Sequence, residues 1–234
     1  MKYAVMQPYF VPYLGYWQLM SEVDVFVVYD DVQFTKQSWI TRNRLMVANK
    51  PFWISLPTRK APFQTVIKDI SLASESTPIF WEKLNRTVKT NYSKAMQQEE
   101  LFRWLNAMEE ISSNSLNLGD FLYSQLSWIK EELGLNTELV RSSEIPLPKN
   151  LSRVEKLMEF GRILGFTSYV NAVGGSDLYS EEEFAQNGFE LTFLQPRLDP
   201  YAQGRNDFVP GLSILDCVAH VPKVDIGEYI VSKS

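Results

Sequence analysis

Tyr3-Ala4-Val5-Met6-Gln7, stopped by Pro8, and Val25-Phe26-Val27-Val28-Tyr29, flanked by acids, are the two stretches on which the fold turns. Both are apolar, too short for helices and bounded by turn or charged residues, so they read as strands buried on both faces of a parallel sheet. Between them, over 15–23, Tyr16, Leu19, Met20 and Val23 recur at spacings of three and four, which predicts a short helix. Strand, helix and strand make one βαβ unit.

Working outward, 51–57 and 65–70 read as further strands around a proline-rich turn. From about 77 to 133 the apolar spacing becomes helical, with Ser76, Thr77 and Asp120 at N-cap positions. Beyond that, Glu138–Arg141, 168–171 and Glu190–Leu194 read as strands, and 151–164, Glu181–Gln186 and 213–218 as helices. The alternation predicts an α/β fold, a mainly parallel sheet flanked by helices, with a helical insert near 77–133. No repeat or linker interrupts 1–234, which reads as a single domain.

The chain has 234 residues and a net charge of −5. That charge argues against a nucleic-acid partner, and no run of eighteen apolar residues offers a membrane span. One cysteine, one histidine and an N-terminal run too short for a signal-peptide core fit a cytoplasmic protein without a metal site. Charge is uneven: residues 1–60 hold seven Lys and Arg against four Asp and Glu, while the remainder is acidic. A basic region in an acidic protein is a candidate holder of an anionic ligand, the alternative being a solvated face.

Ligands in open α/β sheets bind beyond the carboxyl ends of strands, which directs attention to three segments. The first, Gln7 to Tyr16, offers Gln7, Tyr9, Tyr13 and Tyr16 as binding residues, with stacking faces and hydroxyl groups; its alternative is a rigid aromatic cover. The second follows the second strand. There Asp30 and Asp31 are candidate general bases, of which strand alternation turns at most one toward the cleft. Lys36 joins them as a candidate catalytic residue, and Gln33, Trp39, Arg42, Asn43 and Arg44 as binding residues, the arginines suited to phosphate oxygens. A surface hairpin with compensating ion pairs is the competing reading. The third, Asn171-Ala172-Val173-Gly174-Gly175 through Tyr179, lets backbone approach a ligand at Gly174 and Gly175, with Asn171 and Tyr179 beside them. It matches neither a dinucleotide fingerprint nor a P-loop. His220 and Cys217 read as structural.

Met6-Gln7-Pro8-Tyr9-Phe10, Pro12-Tyr13-Leu14-Gly15-Tyr16 and Tyr29-Asp30-Asp31-Val32-Gln33-Phe34, with Lys36, Trp39 and Arg42-Asn43-Arg44, resemble the opening of the WbqC-like proteins. The resemblance continues at Tyr169-Val170-Asn171, Gly174-Gly175, Leu178-Tyr179 and Leu212-Ser213-Ile214-Leu215-Asp216. It implies a place in bacterial surface-glycan (O-antigen, lipopolysaccharide) biosynthesis, as a transferase of glycine or another acyl group to an amino sugar. The partner so implied is a nucleotide-linked amino sugar or glycan intermediate; the donor, an acyl-CoA or aminoacyl carrier, stays open. A second likeness is to nucleotidyltransferases with an HxGH motif, whose histidines Tyr13 and Tyr16 would replace. A third possibility is a non-catalytic carbohydrate-binding protein of the same pathway.

Overall fold

The computed structural model describes residues 1–204 and 207–231. In chain order the elements are β1 (Lys2–Met6), α1 (Leu14–Ser21), β2 (Val25–Val28), β3 (Arg42–Val47), β4 (Lys50–Ser55), α2 (Thr77–Asn91), α3 (Gln98–Asn114) and α4 (Leu118–Glu132). They continue with β5 (Glu138–Arg141), α5 (Arg153–Leu164), β6 (Ser168–Ala172), α6 (Glu181–Gln186), β7 (Glu190–Leu194), α7 (Ile214–His220) and α8 (Lys223–Ile230).

Five strands form one sheet in the order β5-β2-β1-β6-β7, with every pair parallel. The first strand is therefore central, and the chain runs outward to one edge before returning to build the other. This reversal falls between β1 and β6, the place where the strand ends of such sheets open a crevice. Alternation divides the core. Ala4, Phe26 and Val28 join the large cluster on one face, with α1, α7 and the helices α2–α4. Tyr3, Val5, Val25 and Val27 join a second cluster with α5 and α6 on the other. The mainly parallel sheet flanked by helices is thus the architecture that the spacing of apolar residues implies.

Local expectations fare unevenly. The strand expected over 51–57 is β4, but it pairs antiparallel with β3 in a two-stranded hairpin outside the main sheet. The hairpin turns through Ala48 and Asn49, both in the left-handed region at φ +48° and +60°, which suits the right-handed twist of the flanking strands. The segment 65–70 is no strand: a single bridge joins Val66 to Gln33, and Ile67–Asp69 is a 3-10 turn. Three backbone bonds hold this segment along 30–34, from Phe34 N–H to Thr65, Ile67 N–H to Val32 and Lys68 N–H to Asp30. The cap of α4 is Asn117, whose side chain accepts from the Asp120 N–H, so Asp120 sits within the first turn. Helix α5 carries a reciprocal capping box between Ser152 and Glu155 and ends at Gly165 with φ +79°.

Candidate functional site

Strands β1 and β6 diverge over a cavity of about 900 Å³. Met6 and Gln7 at the end of β1 line it, as do Asn171 and Ala172 at the end of β6. The hydroxyl of Tyr16 donates to the Gln7 carbonyl at 3.1 Å, and the rings of Tyr9 and Tyr16 lie 5.4 Å apart. Gly15 is required by a close approach. A Cβ there would lie 2.5 Å from a Tyr13 ring carbon and 2.7 Å from Pro196 Cβ, so the missing side chain is what lets Tyr13 lie against the wall.

The loop from Gln7 to Tyr16 is held by buried polar side chains. Val11 adopts φ +39°, costly for a β-branched residue. Its N–H donates to Gln125 Oε1 at 3.0 Å, and its carbonyl accepts from Asn43 Nδ2 and Ser213 Oγ, each at 2.8 Å. Asn43, expected to touch ligand, is not among the lining residues, and its amide donates to the Phe10 and Val11 carbonyls.

Of the residues singled out from sequence, Gln7, Tyr9, Tyr13, Tyr16, Gln33, Trp39, Arg44, Asn171, Gly174, Gly175 and Tyr179 line the one cavity. Arg44 Nη2 donates to the Gly211 carbonyl at 3.0 Å, and its guanidinium lies 5.6 Å from the Trp39 ring and 5.7 Å from Trp53. Arg42 lies outside the lining, with its guanidinium 4.3 Å from the Trp53 ring centroid. Lys36 is exposed and also outside it.

The two aspartates lie behind the wall. Asp30 is fully buried and accepts from Ser142 Oγ at 3.1 Å and from Ser143 N–H and Oγ at 3.1 and 3.0 Å, with Arg141 3.9 Å away. Both carboxylate oxygens are thus engaged inside the protein, in a residue that lies outside the cavity lining. Asp31 is half-buried and lies within hydrogen-bond reach of the same Ser142 hydroxyl, whose single proton serves one of the two carboxylates at a time. Neither is among the lining residues, although Tyr29, Val32 and Gln33 on either side are.

Sequence reasoning passed over Arg153 and Lys156, both of which enter the cavity from the first turn of α5. Their signal was two cations three residues apart at a helix start, the end where positive charge is disfavoured. Among the described lining residues there is no Asp, Glu or His, so the cavity is cationic and aromatic. Burial raises the hydroxyl pKa values of Tyr9 and Tyr13, and takes those of Tyr16 and Tyr169 well above the usual tyrosine range. Tyr29 is pushed up to about 12 by burial, with Asp31 and Tyr179 adding and Arg153 opposing. These phenols therefore stay neutral near pH 7 and serve as hydrogen-bonding groups and apolar faces, never as bases.

The remaining titratable candidates are placed elsewhere. Cys217 is buried in α7, where burial raises its thiol pKa. His220 packs against Tyr92, with ring centroids 5.7 Å apart. Among the described residues, no group of three His, Cys, Asp or Glu side chains is arranged to hold a metal ion, and no helix is long and apolar enough to cross a membrane.

A protein of Mycobacterium tuberculosis (strain ATCC 25618 / H37Rv), described only as uncharacterised, is 29% identical over 223 residues, covering 94% of each chain. No solved structure matches. The model of the WbqC-like protein family matches residues 7–227, from the Gln7 rim of the cavity to the last helix, and the chain belongs to that family.

Proposed function

We propose that the protein is a transferase of bacterial surface-glycan assembly that adds a glycyl or other acyl group to an amino sugar carried on a nucleotide. The observation that carries this reading is the lining of the cavity at the β1/β6 divergence: three cations, a set of neutral tyrosines and Trp39, with no described acid among them. Cations meet phosphate, aromatic faces stack on base or sugar, and phenol hydroxyls and the Gln7, Gln33 and Asn171 amides meet sugar hydroxyls. Its volume of about 900 Å³ lies near the upper end of small-molecule sites, commonly about 300–1,000 Å³.

In the transfer, the sugar nitrogen attacks the donor carbonyl carbon and the bond from that carbon to the carrier's sulfur or oxygen breaks. The nitrogen gives up its proton. Among the acids singled out from sequence, Asp31 suits the proton-accepting role better than Asp30, which is fully buried and engaged by Ser142 and Ser143. Asp31 follows the cavity wall at Tyr29 and raises that residue's pKa, so it is the group to test first. Lys36, exposed and outside the lining, is assigned no role in this step.

The test is direct. Purified protein is supplied with nucleotide-linked amino sugars and with acyl-CoA or aminoacyl donors, and N-acylated product is sought by mass spectrometry. Product in any pairing supports the reading, and none in all pairings removes it.

One observation favours a second reading. The sheet order with its central first strand also suits a nucleotidyltransferase-like enzyme, which would release pyrophosphate from a nucleoside triphosphate. Tyr16 stands at one of the two HxGH-like positions, but its hydroxyl is bonded to the Gln7 carbonyl, which leaves little of the phosphate-stabilising apparatus such transfer needs. Ligand binding without turnover in either assay would indicate a carbohydrate-binding protein.

A further inference from the structure

The cavity has two cationic ends of different character. At one end, Arg44 is partly engaged: one nitrogen donates to Gly211, its buried Nε has no partner among the described residues, and the guanidinium lies beside two indoles. At the other, Arg153 and Lys156 stand three residues apart on α5, the spacing that puts side chains on one helix face. With the described residues neither side chain makes an ion pair or hydrogen bond. Several other described arginines pair with acids, among them Arg141 with Asp120 at 2.8 Å and Arg162 with Glu159 at 2.9 Å.

Positive charge in the first turn of a helix is unfavourable, because the free N–H groups there already carry partial positive charge. The first-turn acid, Glu155, does not relieve it at the cavity, since its carboxylate accepts from the Ser152 N–H at 2.7 Å. Two uncompensated cations at such a place are what an anion would repay. Tyr29 and Tyr179 line the same cavity, and neither hydroxyl has a hydrogen-bond partner among the described residues. Both feel the charge of Arg153, which opposes the rise of their pKa values.

Resting on the function proposed above, we infer that the diphosphate of the ligand is held at the α5 end, by Arg153 and Lys156 with the hydroxyls of Tyr29 and Tyr179, and that the Arg44–Trp39 end receives the base or sugar. A diphosphate occurs both in a nucleotide-linked sugar and in a coenzyme A donor, so either substrate could bring this chemistry. The stacked end, with Arg44, Trp39 and Tyr13, suits a flat or ring-shaped group. A compact, multiply charged one fits the free donors better.

Calorimetric titration of the intact protein with inorganic pyrophosphate, uridine diphosphate and coenzyme A tests this. Arg153→Gln combined with Lys156→Gln is expected to weaken pyrophosphate and uridine diphosphate by about tenfold or more, on the scale of lost charge-assisted contacts. The same pair should flatten the salt dependence of binding, whereas Arg44→Gln should leave pyrophosphate nearly unchanged. Both α5 side chains face outward from the core, and a thermal melt checks that the variants fold. Tyr29→Phe should give a smaller loss at the same end. Wild-type affinity in the double variant, or loss of pyrophosphate binding on Arg44→Gln alone, overturns the assignment, as does wild-type protein that binds none of the three. Competition of pyrophosphate by coenzyme A but not by uridine diphosphate would make the donor its source, and the reverse would make it the acceptor. Acyl transfer with an indifferent double variant would remove this inference and leave the proposed function standing. Pyrophosphate bound through Arg153 with no transfer would do the opposite.

Discussion

Asn43 Nδ2 donates to the carbonyl of Val11 at 2.8 Å, joining the β3 strand to a residue held at φ +39° in the loop that rims the cavity. Because the bond is buried and the Val11 backbone is strained, the loop keeps its shape only while its partners in β3, α4 and α7 hold it.

Asn43→Ala is therefore expected to leave two buried carbonyls short of a donor and to cost about 1–3 kcal/mol of stability. Urea unfolding measures the loss. Gln125→Ala, which removes the partner of the Val11 N–H, should act in the same direction. An unchanged midpoint in both would show that the loop is held by packing alone.

Gly15→Ala tests the wall. Alanine favours a helix over glycine by about 1 kcal/mol, yet a Cβ at this site would lie 2.5 Å from the Tyr13 ring. The expected result is weaker nucleotide-sugar binding by calorimetry, with any propensity gain offset by displacement of Tyr13. A parallel contrast exists after β6. A Cβ on Gly175 would meet Asn171 Nδ2 at 2.5 Å, while one on Gly174 would meet nothing within 4 Å. Binding should suffer in Gly175→Ala and persist in Gly174→Ala.

The two arginines of β3 should separate. Arg44→Ala is expected to lower affinity for a nucleotide-sugar, since the residue lines the cavity and fixes Gly211. Arg42→Ala removes a guanidinium stacked on Trp53 outside the lining, so it should lower stability by about 0.5–1 kcal/mol, the scale of an exposed cation–π contact, without changing affinity.

Asp30→Asn should destabilise by about 1.5–3 kcal/mol, the worth of hydrogen bonds to a charged group, because Ser142 and Ser143 donate to the carboxylate. Residual activity per folded molecule should match wild type, measured as turnover against the folded fraction from circular dichroism. A loss of turnover in fully folded protein would return Asp30 to the chemistry.

Acid stability has a marked contributor on the far side of the molecule. Hydrogen bonds from Arg103, aided by Lys223, lower the Glu132 carboxyl from 4.5 to about 2. A depressed acid contributes stability that is present above its unfolded value and lost as pH falls through the folded one. Glu132→Gln should therefore flatten the fall in stability between about pH 4.5 and 2. Melting temperatures across that range decide it.

Much of this molecule was legible locally. Apolar runs such as 3–6 and 25–28, too short for helices and bounded by turn or charged residues, report burial on both faces of a sheet, and the apolar spacing over 151–164 reports α5. The loops after β1 and β6 were legible as site segments because ligand crevices follow strand ends in such sheets. What the sequence did not disclose is which side chains those loops share a space with. Arg42 and Arg44 belong to the same strand and the same residue type, yet the cavity takes only Arg44, because the Gly211 loop closes over that one. The strand β3 itself was hidden: Arg42, Asn43 and Arg44 look like solvated polar sequence, but Asn43 is buried among carbonyls that arrive from the N-terminal loop.

Local pattern, then, determined the type of the five parallel strands and of the helices between them, and the strand ends where chemistry belongs, since period and turn chemistry act over a few residues. Tertiary structure alone decided that Asp30 is a buried internal acceptor and that Arg153 and Lys156 face the same cavity as Gln7 and Tyr13. Those groups are brought together by the pairing of β1 with β6 and by the loop before α5, and contacts between segments so far apart in the chain leave no periodic trace in either one.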